Sequence, residues 1–338
     1  MPIDFAALAS APRLLIECEL KPLQGDRFQP TGFADLGPAR YQRPDGTEML
    51  LVESAQSVAN RLEAAVWDDA SDDLIAELKG LPFILVKDND RRLTNSILEA
   101  HRINSPYILE GGDKSVFDQL KKDAAGLEMG PVRLRDLAKI VLKYDANAVL
   151  HGVFLAKSEL AGGRLRMTRL LSGFIEASGT ATAESGGVKN DRVDPSGDTA
   201  KGFGNVPFHR TEFVASEIKA FFNLDLALLR GYGLPDSAFK LLVALALFKV
   251  RRFLSNGLRL RTACDLEPTE KSLRVTRPTS FVLPEEVALI SECKALIAAC
   301  AQDNVFARPP ITEVKWQPPK NRAAKNRGED EVAAEDDE

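Results

Sequence analysis

The run "LLVALALF", residues 241–248, is apolar without interruption. A helix built on it has no polar face to turn to water, so other segments must enclose it. It is far short of the ~20 residues that a bilayer span needs. The reading is therefore a buried helix in a soluble, cytoplasmic protein with no membrane partner. The chain has 338 residues and 44% hydrophobic content, enough for a sizeable core in one elaborated domain or two smaller ones. "MPIDFAALAS" at the start has an acid and no basic n-region, so it does not read as a secretory signal. Cys18, Cys264, Cys293 and Cys300 form no CxxC pair and read as buried free thiols of a reducing compartment.

Hydrophobic period places the remaining elements. "RLLIECEL" (13–20) reads as a strand, and the Gly/Pro-punctuated stretch 21–46 as a loop long enough to be functional. Residues 50–67 read as an amphipathic helix, 81–86 as a strand, and the segment after the Asn89-Asp90 turn as a helix capped near 94–96 and ended by Ser105-Pro106. "VRLRDLAKIVLKYDA" is a further helix. Residues 148–178 change period to two strands joined by a Gly-rich hairpin, with Arg164 and Arg166 on one face. Gly, Ser, Thr and Asp dominate 179–210, which reads as an extended, mobile arm. Two helices, "EFVASEIKAFFNLDLALLRGYG" and "PDSAFKLLVALALFKVRRFLSNG", then two strands and a last helix, "PEEVALISECKALIAACA", complete the body. This order predicts an α+β fold with a largely antiparallel sheet, and a split β-α-β pattern of RNA-recognition (RRM-like, ferredoxin-like) type once insertions are set aside.

Net charge is −5, but seven acids fall in the last ten residues and five bases in 315–328. The body, residues 1–314, carries only −3. Any polyanion site must then be a local stripe and not a global field. Residues 315–338 read as a disordered tail, basic and then acidic. No HExxH, GxSxG or P-loop motif occurs, and the three histidines lie in separate segments, so the sequence offers no metal or cofactor site and little sign of catalysis.

What stands out is the polar face of the 50–67 helix. It shows Ser54, Gln56, Ser57, Asn60 and Arg61 where a solvated helix usually carries Glu and Lys. Similar groups recur beside turns: Gln24, Arg27, Phe28 and Gln29 in the first loop; Arg91, Arg92, Asn95, His101 and Arg102; Arg166; and Lys201, Phe203, Asn205, His209 and Arg210 in the arm. Guanidinium plus neutral donors suits a phosphate backbone, whose oxygens accept from all of them. Phe203, between glycines, is shaped to stack on a base.

"LQGDRFQPTGFADLG", "MLLVESAQSVANRLEAAVWD" and "NSILEAHRINSPYI" together resemble the CRISPR-associated RAMP superfamily, and more narrowly the Cas seven subunit that forms the Cascade backbone in type I-U (I-G) systems. The resemblance runs from about Arg13 to about Ala301. It implies an RRM-like palm over 1–314, with an inserted helical finger region at about 68–140 and a thumb at 179–210. It also implies a non-catalytic role. Several copies would stack in a helical filament along the spacer of a CRISPR RNA and present it to target DNA, beside a large subunit and Cas five or Cas six type proteins. Gln24 to Gln29, the Ser54–Arg61 face and the other polar groups named above would hold the RNA. The alternative from the same superfamily is a metal-dependent target-RNA endonuclease, with Asp26 or Asp35 in the first loop as the catalytic aspartate.

Overall fold

The computed structural model describes residues 2–33 and 35–318. Its main sheet starts with Arg13–Pro22 (β1), in which Leu14, Ile16, Cys18 and Leu20 are buried and the residues between them are not. Arg40–Gln42 (β2) and Glu48–Glu53 (β3) follow, then the helix Ala55–Ala64 (α1). Phe83–Asp88 (β4) and Arg91–Asn95 (β5) form a hairpin outside the main sheet, and the helix Leu134–Tyr144 (α2) follows. Leu171–Ser178 (β6) returns to the main sheet; Ala181–Lys189 (β7) and Val206–Val214 (β8) pair as a ribbon; Glu217–Asp225 (β9) re-enters. The long helix Asp236–Ser255 (α3) leads to Leu258–Arg261 (β10), Cys264–Pro268 (β11) and Arg274–Arg277 (β12), then to Glu286–Gln302 (α4) and Ile311–Lys315 (β13).

The strands run in the order β10-β11-β1-β9-β6-β3-β2, with β12 also beside β1, and every neighbouring pair is antiparallel. The α+β, antiparallel expectation holds. Helices α1 and α3 cover one face of this sheet. Phe253 of α3 meets Phe222 of β9 edge to face, at 6.0 Å between ring centroids. Helix α1 comes closest at Gly173, where an added Cβ would lie 3.0 Å from the Val58 side chain and 2.7 Å from the Phe222 ring. The absent side chain is what lets helix and sheet meet. The "LLVALALF" residues are all buried, with α4 packed along α3, and the four cysteines are buried and free. No helix among the described residues is long and apolar enough to cross a membrane.

Several elements differ from the sequence expectation. The predicted helix 50–67 is strand β3 up to Glu53; α1 begins only after Ser54, whose hydroxyl accepts from the Ser57 amide at 3.2 Å. Met49, Leu50 and Val52 fit either period, and pairing with β6 decides for strand. No α-helix forms over 94–105, only a 3₁₀ turn at Arg102–Asn104. Arg91–Asn95 is a strand, and the Asn95 side chain accepts from the Ile97 and Leu98 amides, turning the chain at once. Ser105-Pro106 starts a short helix, Pro106–Leu109, instead of ending one. "EFVASEIKAFFNLD" is strand, not helix: Ile218, Ala220, Phe222 and Leu224 alternate inward along β9, the strand between β1 and β6. Residues 148–178 open with the end of a helix, Ala146–His151, before a short hairpin of Val153–Leu155 and Leu165–Met167. Three strands, not two, follow α3. The 68–140 insertion mixes hairpins with helices, and the 179–210 segment is the paired ribbon β7–β8. Strand β13 pairs parallel with β4, and Trp316 packs on Tyr107, so Lys315 and Trp316 belong to the body. Residues 319–338, most of the expected tail, lie outside the described residues.

Candidate nucleic-acid interface

The first loop is drawn against the base of the ribbon. Phe28 and Phe213 exchange two backbone hydrogen bonds of 2.9 Å, and Gln29 N donates to Ala263 O at 2.8 Å. Both phenylalanines are buried. Phe28, expected at the RNA, is therefore an anchor that fixes the loop. Two pockets lie beside this anchor. Gln24, Asp26, Arg27, Glu212 and Asp265 line one, of about 390 Å³; Gln29, His209, Arg210, Thr211, Arg261 and Thr262 line the other, of about 560 Å³.

Two carboxylates organise the cations in and beside these pockets. Glu53, at the end of β3, is fully buried. It accepts from Arg61 Nε at 3.0 Å and from the Ser57 hydroxyl, and contacts the Arg261 guanidinium. Arg61 also donates to the carbonyls of Arg259 and Leu260, and Arg261 to those of Gln29 (2.9 Å) and Val52 (3.1 Å). Desolvation by burial holds both guanidiniums below the ordinary arginine range. Glu212, 7% exposed, faces Arg27 at 3.2 Å and Arg210 at 3.8 Å and accepts from Ser185 at 3.2 Å. Arg40 stacks over Phe213 at 5.7 Å beside them.

Of the residues the sequence singled out, Gln24 and Arg27 line the first pocket, Gln29, His209 and Arg210 the second, and Ser57 and Arg61 meet at Glu53 beside it. Ser54 serves as the α1 cap. Gln56 and Asn60 are exposed on the adjoining face of α1; Gln56 donates to Asn60 at 3.2 Å and accepts from Arg169 at 2.9 Å. The others lie elsewhere. Arg91, Arg92 and His101 are in the β4–β5 region, where Arg92 donates to Asp72 O and sits 3.6 Å from Asp73. Asn95 is buried as a turn former. Arg102 is buried in a two-pronged pair with Glu63, at 2.6 and 2.7 Å, and cannot meet a nucleotide. Arg166 is exposed and packs over Phe154 at 5.9 Å. Lys201, Phe203 and Asn205 cluster at the ribbon's tip, where Phe203 is 55% exposed and Asn205 accepts from the Asp191 amide at 2.8 Å. His209 pairs with Glu184 at 2.8 Å. Sequence reasoning missed Arg261, Arg169, Glu53 and Glu212. The alternation in "LRLR" put Arg259 and Arg261 on one face and could have flagged them; the carboxylates gave no local signal. Asp26 lines the first pocket, whereas among the described residues no three His, Cys, Asp or Glu side chains group so as to hold a metal ion.

Sheet, ribbon and pockets together define an antiparallel α+β protein in which arginines from separate segments pair around buried carboxylates. The chain belongs to the CRISPR-associated protein GSU0053 family, whose profile matches residues 14–182, half its length. This agrees with the RAMP-type, Cas seven resemblance carried by the first-loop and helix motifs. Similar solved structures include the following two. One is a chain of "CRISPR RNA-guided surveillance complex, pre-nicking", 17% identical with TM-score 0.40 over 76% of this chain and 74% of that one. The other is Csc2 of Thermofilum pendens, 8% identical with TM-score 0.33 over 90% and 92%. No curated protein sequence matches the chain.

Proposed function

We propose that the chain holds guide RNA as a non-catalytic backbone subunit of a Cascade-type CRISPR complex in the cytoplasm. The observation that carries this reading is the placing of Arg27 and Gln24 in one pocket and of Gln29, Arg210 and Arg261 in another beside it, with Arg61 joined to Arg261 through Glu53. Guanidinium forks and uncharged donors suit phosphate oxygens and read no base letters, as a holder of arbitrary guides requires. Membership of a CRISPR-associated family supports nucleic acid as the polyanion. The order β11-β1-β9-β6, with α1 and α3 on one face, is that of a split β-α-β palm and supports the RRM-like reading. On this reading the ribbon is the thumb, copies of the chain stack along the spacer, and the guide pairs with target DNA beside the other Cascade subunits.

The test is RNA binding across a salt series with single strands of unrelated sequence. Arg61→Ala is expected to weaken binding about equally for every sequence and to lower the log–log salt slope by about 0.7, the share of one phosphate on a single strand. An unchanged slope overturns the assignment. In the same preparations, guide-loaded protein with Mg²⁺ is expected to leave complementary RNA intact; cleavage that disappears in Asp26→Ala would establish the endonuclease reading instead.

A further inference from the structure

Near-neutral sites that hold polyanions pose a problem of sign. Arg27, Arg210 and Arg261 line the two pockets and Arg61 joins Arg261 at Glu53, yet Glu53 and Glu212 are nearly or fully buried while the arginines reach the surface. A carboxylate there merely to offset positive charge would work as well at the rim, at less desolvation cost. Asp26 and Asp265 already stand at the rim. The inner pair does something the outer pair does not: each inner carboxylate touches two arginines arriving from different segments. Glu53 joins α1 (Arg61) to β10 (Arg261), and Glu212 joins the first loop (Arg27) to β8 (Arg210).

We infer that Glu53 and Glu212 are positioning residues for two backbone-phosphate clamps, each a pair of arginines fixed around one buried carboxylate. This deepens the RNA-holding reading and rests on it. The mechanism is preorganisation. Two unscreened guanidiniums side by side would repel and scatter among rotamers, and ordering them on binding would cost affinity. The shared carboxylate keeps both beside it and leaves each pair at net +1, and a guanidinium's five donors exceed what one carboxylate takes up. Around Glu53 the arrangement is tightened from outside: Ser57 donates to the carboxylate, and the carbonyls of Val52, Gln29 and Leu260 take further arginine donors. Around Glu212 that part falls to Ser185. Guanidinium forks match the paired oxygens of a phosphate and not one particular base edge, so the ligand class is the phosphodiester backbone of a single strand.

The inference predicts an effect opposite in sign to simple charge. Glu53→Gln makes the site more positive by one unit, yet is expected to weaken single-stranded RNA binding about tenfold, as for a lost charge-assisted contact. It is also expected to lower the salt slope. Glu212→Gln should act alike. Glu267→Gln adds the same unit outside both pockets, where Glu267 only pairs with Lys21, and is expected to leave affinity unchanged or improve it. Arg261→Lys keeps the charge but loses the fork and is expected to weaken binding as much as Glu53→Gln, which keeps the test open should Glu53→Gln fail to fold by circular dichroism. The full-length chain is titrated with a labelled mixed-sequence RNA over a KCl series. Folded Glu53→Gln or Arg261→Lys binding as tightly as wild type, with the slope intact, overturns the clamps. A wild-type chain that binds no RNA overturns the RNA reading beneath them.

Discussion

Arg102 and Glu63 show how a cation on a polar-looking stretch can belong wholly to the interior. Their side chains are 10% and 6% exposed, and Arg102 adds a third bond, to Gly152 O at 3.0 Å. Removing one partner strands the other charge. Arg102→Ala is therefore expected to destabilise the fold by about 3–5 kcal/mol. Chemical denaturation measures it, and the RNA salt slope of whatever remains folded should not change. Lys249, buried in α3, bonds Asn147 Oδ1 and lies 3.0 Å from His151 Nε2. Burial pushes its ammonium down to about 7, while Glu63 and Asp145 act the other way and Arg102 with the burial. Burial likewise raises Asp145 to about 6 and holds His151 well below the usual histidine range. Above about pH 7 the folded chain has shed a proton from Lys249 that the unfolded chain keeps, so this group's burden on stability lifts as pH rises toward 10.5. The melting temperature of wild type relative to Lys249→Met is expected to climb between pH 7 and pH 9 in differential scanning fluorimetry. A constant difference would mean that the ammonium stays charged inside the fold.

At the scale of elements, the ribbon β7–β8 stands apart. Most of its residues beyond the base are exposed, and Val188 pairs with Pro207 and Lys189 with Val206 at its far end. Replacing 190–205 by Asn-Gly keeps that register and removes nothing from the core. The melting temperature is expected to move by no more than about 2 °C, while RNA binding loses whatever Lys201 and Phe203 contribute. A collapse in melting temperature would assign the tip a packing role. The ribbon was illegible in the sequence because Gly186, Gly187, Ser185 and Thr182 give no apolar alternation for a period to appear in. Helices α2, α3 and α4 were legible because each carries a sustained apolar stripe or run. Strand β9 was misread although Ile218, Ala220, Phe222 and Leu224 alternate; the outward Phe221, which stacks on Phe174 at 5.1 Å, filled the gaps and mimicked a helical run.

For the molecule as a whole, the sequence revealed a class and half of a site. Arg27, Gln29, Arg61 and Arg210 were chosen by type, and the fold brings each to one of the two pockets or to the buried carboxylate beside them. Arg102 and Asn95 were chosen by the same rule and are buried, because residue type reports the capacity to bind phosphate and not where the chain folds. Glu53 and Glu212 were invisible for a different reason. Their meaning lies in pairings such as Glu53 with Arg261, which only the antiparallel order of the sheet creates.

Strand β13 ties the last described stretch to β4, parallel, with Ile311 opposite Phe83 and Lys315 opposite Lys87. About 230 residues separate the two partners, so at ~5–20 residues per second a ribosome needs roughly 10–50 s to deliver the second after the first. During that interval one edge of β4 has no neighbour and is open to any passing strand. Translation, and not only thermodynamics, thus decides when this part of the newborn protein becomes safe from aggregation.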